Sequence, residues 1–188
     1  MIRDRLFRSL PFLLGALAIA GIVHLSIILL MPGVAGSTAA ARLSAAAPLN
    51  RLELFSRGSG EASELPFPYA DPAMVTAVCR FDLSDGPLRL RVFTTDAFLS
   101  VVVLRADGRV QHALTDRAAT RRQLNIMLAT PLQMRQLESL DPDDQPVQDL
   151  RLRMSSLKGV AVIRALAQRE AERPGLQALL GRAACQQE

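Results

Sequence analysis

The sequence predicts an α+β protein, mainly β, in which an N-terminal transmembrane helix precedes an antiparallel β-sheet or sandwich with two peripheral helices. Three observations predict this class. The segment from Leu10 to Met31 contains no charged side chain. From Met74 onward, apolar side chains alternate with polar ones, as they do in half-buried strands. Helix-starting patterns at Thr130 and near Pro174 interrupt these strands.

The apolar segment is long enough to cross a membrane. A helix rises about 1.5 Å per residue, so Leu10 to Met31 reaches about 33 Å, against a hydrocarbon core of about 30 Å. Pro11 fits the first turn of such a helix, and Pro32-Gly33 is expected to end it. The length favours a retained anchor over a cleaved signal peptide, whose apolar region usually spans roughly 7–15 residues. Cleavage at a small-residue site after the segment is the alternative.

Charge on the two sides of the segment predicts its orientation. The N-terminal tip carries Arg3, Arg5 and Arg8, and no basic residue follows the segment until Arg42. Because basic flanks stay in the cytoplasm, the rest of the chain should lie across the lipid bilayer. We expect a single-pass bacterial inner-membrane protein with its N-terminus in the cytoplasm and its C-terminal domain in the periplasm.

Helix and loop signals divide the chain into three regions. Residues 1–36 form the cytoplasmic tip and transmembrane anchor, residues 37–72 a juxtamembrane helix and a connector, and residues 73–188 a β-rich extracytoplasmic domain. The alanine-rich stretch 37–47 predicts the juxtamembrane helix, with Leu43 on its apolar side. Pro and Gly residues are frequent over 57–72, which predicts an extended connector whose Phe67 and Tyr69 pack against the domain.

Alternation and turn signals place the strands. Strands are predicted over 88–92, 124–128 and 150–154, and the runs 74–81 and 99–104, apolar on both faces, should lie at the centre of a sheet or between layers. One more strand is predicted over 160–166, with a helix as the alternative. Asp107-Gly108 predicts a hairpin with a type I′ turn, in which both residues have positive φ. Residues 84–87 predict a second turn.

The two helices have recognisable starts. Thr130-Pro131-Leu132-Gln133 is a capping box with proline at the first helical position, and it predicts a helix to about Leu140. The second helix starts near Pro174 and should bring Cys185 to its end. Its apolar face consists of Leu176, Leu179, Leu180 and Ala183.

Cys79 and Cys185 are the two cysteines of the chain. In an oxidising periplasm we expect them to form a disulfide that ties the last helix to the first strand of the core. Two free thiols are the alternative. Neither cysteine has a partner at CxxC spacing, and with His24 and His112 as the two histidines a zinc site is not predicted. We expect no metal and no cofactor.

Charge and motifs exclude several functions. The net charge is +4, but arginines are scattered and aromatics are few, so nucleic-acid binding is not supported. The chain has no GxSxG nucleophile elbow and no phosphate-binding glycine pattern. His112 shares a strand face with Val110 and Leu114, which predicts a histidine at the margin of the core.

Aspartates and arginines remain as candidates for a site. Asp82, Asp85, Asp96 and Asp116 fall at strand ends or turns, where two of them could form an acid–base pair or simply cap turns. The pairs Arg89/Arg91 and Arg151/Arg153 would form one basic stripe if their strands are neighbours, and otherwise a solvated sheet face. The possible ligand or partner surface therefore comprises Asp82, Asp85, Asp116, Arg89, Arg91 and His112.

Several segments resemble a known family. They are Ala-Val-Cys-Arg-Phe-Asp-Leu-Ser-Asp-Gly-Pro over 77–87, Thr115-Asp116-Arg117, and the helix that opens with Thr130-Pro131. Together they resemble the short membrane-anchored members of bacterial domain-of-unknown-function family 1254. The resemblance implies an N-terminal span and a companion envelope protein of family 1214, and it implies no established activity.

The sequence thus predicts a single-pass inner-membrane protein that presents a small periplasmic β-rich domain as an envelope accessory or interaction module, without enzymatic activity. Two alternatives stay open. One is a periplasmic hydrolase-like enzyme that uses the turn-borne aspartates. The other is a secreted soluble protein released by signal cleavage.

Overall fold

The computed structural model describes residues 2–34, 39–55, 70–141 and 149–188, in two compact units, Met1–Ser37 and Thr38–Glu188. The described part of the first unit forms helix α1 (Ile2–Val34). Within it, Leu10–Met31 has a mean hydropathy of 2.5, and no protein surface buries it. This segment is long and apolar enough to span a membrane.

Helix α1 begins earlier than predicted. It starts at Ile2, so Pro11 lies well inside the helix and not in its first turn. Proline removes one backbone donor there, and the helix continues on both sides of it. Further along, the Ser26 hydroxyl donates a hydrogen bond to the Ile22 carbonyl at 2.7 Å, which satisfies it within the apolar segment.

The second unit is a two-layer β-sandwich with helices, as the sequence predicts. Its five-stranded sheet has the order β1-β2-β8-β4-β5, and its four-stranded sheet the order β7-β6-β3-β9. The strands are β1 (Leu52–Phe55), β2 (Met74–Asp82), β3 (Leu88–Phe93), β4 (Leu99–Arg105), β5 (Val110–Thr115), β6 (Gln123–Ala129), β7 (Leu150–Arg153), β8 (Lys158–Leu166) and β9 (Ala184–Gln187). The helices are α2 (Ala39–Ala46), α3 (Pro131–Leu140) and α4 (Arg173–Gly181).

The core between the sheets follows the alternation read from the sequence. In β3, Leu88, Leu90 and Val92 are fully buried, while Arg89 and Arg91 point away from the core. Full burial of each such side chain contributes about 1.5–3 kcal/mol, so this alternation fixes which face of the strand packs inward. Equivalent positions in β2, β4, β6 and β8 complete the core.

One strand pairing differs from the antiparallel prediction. Strand β7 runs parallel to β6, and Leu152 lies opposite Leu128. Helix α3 lies between the two strands in sequence, and parallel neighbours need a crossover connection of this kind. The alternation of β7 predicted its buried face but carried no information about its direction.

The predicted hairpin between β4 and β5 is present, but its turn is not type I′. Gly108 has a φ of 83°, and Asp107 is not among the residues with positive φ. The pairing shifts after Val103, so that His112 lies opposite Val103 and Val110 opposite Leu104. Gln111 is the additional residue of a β-bulge.

Two strands were not predicted. β1 and β9 have four residues each, and β9, Ala-Cys-Gln-Gln, carries no run of alternating apolar residues. They exist because β2 and β3 offer them backbone hydrogen-bonding partners. β1 lies within the span 37–72. Most of the predicted connector, with Phe67 and Tyr69, falls outside the described residues.

The two peripheral helices are confirmed. In α3, the Thr130 hydroxyl accepts a hydrogen bond from the Gln133 backbone N–H at 3.3 Å, and Gln133 Oε1 accepts one from the Thr130 N–H at 2.9 Å. The same Gln133 side chain donates to the Leu83 carbonyl at 2.7 Å, which fixes the helix to the chain after β2. Helix α4 inserts Leu176 and Leu180 into the core.

Candidate functional site

A cleft of about 330 Å³ opens on the outer face of the five-stranded sheet, beside α2. Its lining combines apolar and charged residues from α2, β2 and β8 and from the adjoining loops. It is lined by Ala40, Ser44, Leu49, Arg80, Phe81, Asp82, Ala106, Lys158, Gly159 and Val160. All of these residues belong to the second unit, so this site is built within the β-sandwich domain.

Helix α2 forms the wall of the cleft because its apolar side packs on the sheet. Leu43 and Ala47 are buried in a second apolar cluster, separate from the core between the sheets. The strands contribute Phe55, Val78 and Val160 to that cluster. The alanines of α2 bring its backbone close to the sheet, and Ala40 is buried as well. The predicted juxtamembrane helix is therefore an integral layer of the domain.

Asp82 and Lys158 lie opposite each other at the ends of β2 and β8, with Oδ2 and Nζ 3.4 Å apart. Asp82 Oδ1 also accepts hydrogen bonds from the Ser84 hydroxyl at 2.6 Å and from its backbone N–H at 3.0 Å. These bonds to Ser84 are the main reason why the pKa of Asp82 lies below its ordinary value, with Lys158 adding to the effect. The carboxylate is thus ionised and already engaged.

Arg80 is the second cation of the cleft. It lies on the outer face of β2, opposite Val160, and its Nε atom is shielded from solvent. Among the described residues this Nε has no hydrogen-bond partner. A buried donor without a partner costs about 1–3 kcal/mol, more when it is charged, so Arg80 is expensive to keep here for packing alone.

An amide network holds the edge of the cleft in place. Asn50, in the left-handed region at a φ of 52°, donates from Nδ2 to Gln187 Oε1 at 2.7 Å. Its Oδ1 accepts from the Asp82 N–H at 3.2 Å, and Gln187 Nε2 donates to the Asp82 carbonyl at 3.3 Å. Because Gln187 belongs to β9, this network connects the end of β2 to the other sheet.

The four candidate aspartates do not converge. Asp82 and Asp85 follow β2, whereas Asp96 and Asp116 lie at the other end of the sheet, beside the start of β4. The two pairs lie beside opposite ends of β8, one near Lys158 and the other near Ala165. At roughly 3.3 Å per residue, these two ends are about 23 Å apart. Asp96 pairs with Arg122 at 3.1 Å, and Asp116 Oδ1 accepts from the Leu99 N–H at 3.5 Å. Asp82, Asp96 and Asp116 are each engaged by nearby donors, and they form no acid–base pair across the domain.

The predicted basic stripe does not form either. Strand β6 separates β3 from β7, so Arg89 and Arg151 lie on either side of Met127. Arg89 pairs with Asp149 at 3.3 Å and Glu188 at 2.7 Å. Arg151 forms a two-pronged bond with Asp141, which lowers the pKa of that carboxyl. Local carboxylates therefore offset both arginines. Arg91 and Arg153 are exposed.

His112 lies at the margin of the core, as predicted, but not on the face of Val110. The bulge at Gln111 turns His112 toward the core side while Val110 stays 61% exposed on the outer side. His112 Nε2 lies 2.8 Å from the Arg153 carbonyl oxygen. Because a carbonyl only accepts, Nε2 carries the hydrogen, and this nitrogen is not free to act as a base.

Cys79 and Cys185 lie at disulfide-bonding distance, with Cα atoms 6.5 Å apart. Cys79 is on β2 and Cys185 on β9, so the bond joins the two sheets. The sequence placed Cys185 at the end of the last helix. This was wrong, because α4 ends at Gly181 and the chain then enters an edge strand.

The sequence did not single out Arg80 or Lys158. A signal for Arg80 was present, because it is the one charged residue inside the apolar run 74–81. A charge in a strand that is apolar on both faces marks a special environment. Across residues 2–34, 39–55, 70–141 and 149–188, no group of three or more His, Cys, Asp or Glu side chains could hold a metal ion.

The fold and the cleft define the class: a β-sandwich domain preceded by an apolar helix long enough to span a membrane. Among solved structures, the chain is similar to the VPA0106 protein from Vibrio parahaemolyticus, with a TM-score of 0.54 and 12% identity over 76% of this chain and 31% of that one. It is also similar to a putative uncharacterized protein from Burkholderia cenocepacia, with a TM-score of 0.41 and 16% identity over 70% of this chain and 36% of that one.

The similarity to the VPA0106 protein shows the fold alone. The chain spans only about a third of the length of each structure, at 31% and 36%. No protein-family model and no curated protein matches the chain.

Proposed function

We propose that this protein is a single-pass protein of the bacterial inner membrane whose β-sandwich serves as a periplasmic binding module of the cell envelope, without catalytic activity. The observation that carries the proposal is α1, whose Leu10–Met31 segment is apolar, unburied and long enough to span the bilayer. A helix of this kind, with no protein partner in the described chain, is stable when lipid surrounds it.

Two features support a periplasmic location of the β-sandwich domain. Arg3, Arg5 and Arg8 precede the apolar segment, and basic residues favour the cytoplasm. Cys79 and Cys185 lie at bonding distance, and disulfides persist in oxidising compartments. Both features are consistent with a domain exported across the inner membrane.

Binding is favoured over catalysis by where the ionisable groups lie. The four aspartates are split between two ends of the domain, and the imidazole of His112 is engaged with a backbone carbonyl. A nucleophile needs a base within hydrogen-bond reach, and the two pairs of aspartates lie too far apart to share one acid–base site. The cleft instead presents two cations, Arg80 and Lys158, beside apolar walls.

Family membership and the partner stay predictions. The resemblance to family 1254 suggests a companion envelope protein of family 1214 as the partner of this module. Co-purification from a mild detergent extract, with the companion expressed beside this chain, tests that pairing.

Topology is tested with reporters fused after Glu188 in a Gram-negative host. We expect an alkaline phosphatase fusion to be active, because this enzyme needs the periplasm. We expect a green fluorescent protein fusion that is exported by the general secretion route to be dark, because this reporter needs the cytoplasm. The reverse pattern would overturn the proposal. A mature chain that begins after residue 34 and is released from the membrane would support the secreted alternative.

Catalysis is tested on the purified full chain with envelope-type ester and glycan substrates. We expect no turnover above the rate of the Asp82→Ala and His112→Ala variants. Hydrolysis that both substitutions abolish would establish the enzyme alternative.

A further inference from the structure

The cleft beside α2 combines the features of a small ligand site. Its volume of about 330 Å³ lies at the lower end of the usual range of roughly 300–1,000 Å³ for small-molecule sites. Most of its lining is apolar, with a few polar groups from Arg80, Asp82, Lys158 and Ser44. Apolar walls with a few oriented polar groups are typical of sites that bind amphiphilic molecules.

The charges of the cleft leave one positive charge uncompensated. Arg80 and Lys158 are cations and Asp82 is an anion, and the Asp82 carboxylate pairs with Lys158 and Ser84. Arg80 has no ion pair within the described chain, and its Nε donor is buried without a partner. A ligand carrying one negative charge would neutralise the site.

The guanidinium group determines which anions fit. Its planar set of N–H donors matches the two oxygens of a carboxylate or of a phosphodiester. The Lys158 ammonium, whose side chain is 69% exposed, can turn toward the same anion at the mouth of the cleft.

We infer that this cleft binds the head and the first methylene groups of a monoanionic amphiphile, with the anionic group on Arg80 and Lys158 and the alkyl part against Ala40, Leu49 and Val160. The carboxylate of a fatty acid and the phosphodiester of an anionic phospholipid share this chemistry. The inference rests on the proposed binding role of the domain and names its ligand class, but it does not depend on the orientation in the membrane.

The test uses the full chain in an uncharged maltoside detergent. Equilibrium dialysis measures binding of octanoate and of dihexanoyl phosphatidylglycerol, with octanol as the uncharged probe and inorganic phosphate as the headless anion. We expect saturable binding of about one molecule per chain for at least one amphiphilic anion. Octanol and phosphate should show no saturable component.

Arg80→Gln should weaken this binding at least tenfold. Arg164→Gln is the matched control. Arg164 is exposed on the same face of the sheet, at its other end, and its replacement removes the same charge. It should leave binding unchanged. Ser44→Leu provides a second variant, since it fills the cleft from α2 without altering its charge, and it should also abolish binding.

The outcomes separate the ligand sources and can overturn the inference. Saturation by octanoate alone indicates a free carboxylate, and saturation by the lipid alone indicates a membrane headgroup. Absence of saturable binding of both, or equal binding by wild type, Arg80→Gln and Ser44→Leu, would overturn it. A cytoplasmic reporter result would overturn the proposed topology and leave these binding curves in place.

Discussion

His112 Nε2 lies 2.8 Å from the carbonyl oxygen of Arg153, and this contact joins the edge strand β5 of one sheet to the edge strand β7 of the other. Gln111 Nε2 donates to the same carbonyl at 3.0 Å. Consecutive residues of a regular strand point to opposite faces, so both side chains reach Arg153 only because Gln111 is the bulged residue.

This edge contact gives the first prediction. His112→Ala should lower the free energy of unfolding by about 1 kcal/mol, the usual net contribution of one hydrogen bond. The double variant with Gln111→Ala should cost more than the sum, because the Arg153 carbonyl then loses both donors. Urea unfolding of the full chain in detergent measures both.

Val110→Thr is the control for the edge, since Val110 is exposed on the outer face of the same strand. Its unfolding free energy should stay within about 0.5 kcal/mol of wild type. If His112→Ala were equally neutral, the contact would not contribute to holding the two sheets together.

Loss of the disulfide between Cys79 and Cys185 should lower the stability of the folded domain more than any other single covalent change. The disulfide closes a loop with a sequence separation of 106. Constraining a loop of this length in the unfolded chain is worth about 4–5 kcal/mol in the chain-entropy model. We expect the melting temperature of the full chain to fall markedly in reductant.

The variant with Cys79→Ala and Cys185→Ala should melt at the temperature of the reduced wild type and should not respond to reductant. A wild-type melting temperature that reductant leaves unchanged would show that the cysteines are not bridged, or that the bond does not constrain the unfolded chain.

Asp82 should make stability depend on pH at the acidic end. Hydrogen bonds from Ser84, and then Lys158, hold its pKa below the ordinary value of 3.8 in the folded protein. A lowered folded pKa gives stability that is present above the unfolded pKa and is lost as the pH falls through the folded one. Asp82→Asn should therefore be less stable than wild type at pH 7, and the difference should shrink below about pH 4.

Melting temperatures of both proteins across this pH range provide the measurement. Asp85→Asn is the matched control, because Asp85 is exposed in the adjacent turn. An Asp82→Asn difference that persists undiminished at acidic pH would assign the effect to packing and not to the charge.

Gly159 should be intolerant of a side chain. An added Cβ would lie 2.5 Å from Phe81 Cζ and still closer to the Leu104 carbonyl oxygen, which is fixed in the neighbouring strand. Gly159→Ala should cost roughly 1–3 kcal/mol through overpacking. The unfolding free energy from urea titration measures this cost.

The same substitution at Gly175, Gly175→Ala, should have the opposite effect on the stability of the folded protein. An added Cβ at Gly175 meets nothing within 4 Å, and the residue lies in helix α4. Alanine should raise stability by about 0.5–1 kcal/mol, because it restricts the unfolded chain more than glycine does. Equal effects of the two substitutions would contradict the packing around Gly159.

The candidate site was only partly predictable. The sequence singled out Asp82, which lines the cleft, but it grouped this residue with Asp116 and His112, which lie elsewhere. Arg80 and Lys158 are separated by most of the domain in sequence and come together only through the pairing of β2 with β8. No local pattern encodes which strands become neighbours, because that choice depends on how the whole core packs.

What the sequence determined by itself was local. The charge-free run fixed α1, alternation fixed the buried faces of β3, β6 and β7, and the capping box at Thr130 fixed the start of α3. Each depends on neighbours a few residues away, through helix rise, strand pleat or hydrogen bonds at a helix end.

Only the tertiary structure decided the rest. It set β7 parallel to β6, recruited Ala-Cys-Gln-Gln as an edge strand, and turned His112 away from the face of Val110. It also brought Cys185 to Cys79 across the two sheets. These features lack a local signal, because backbone donors and apolar faces find distant partners only when the two sheets close on one core.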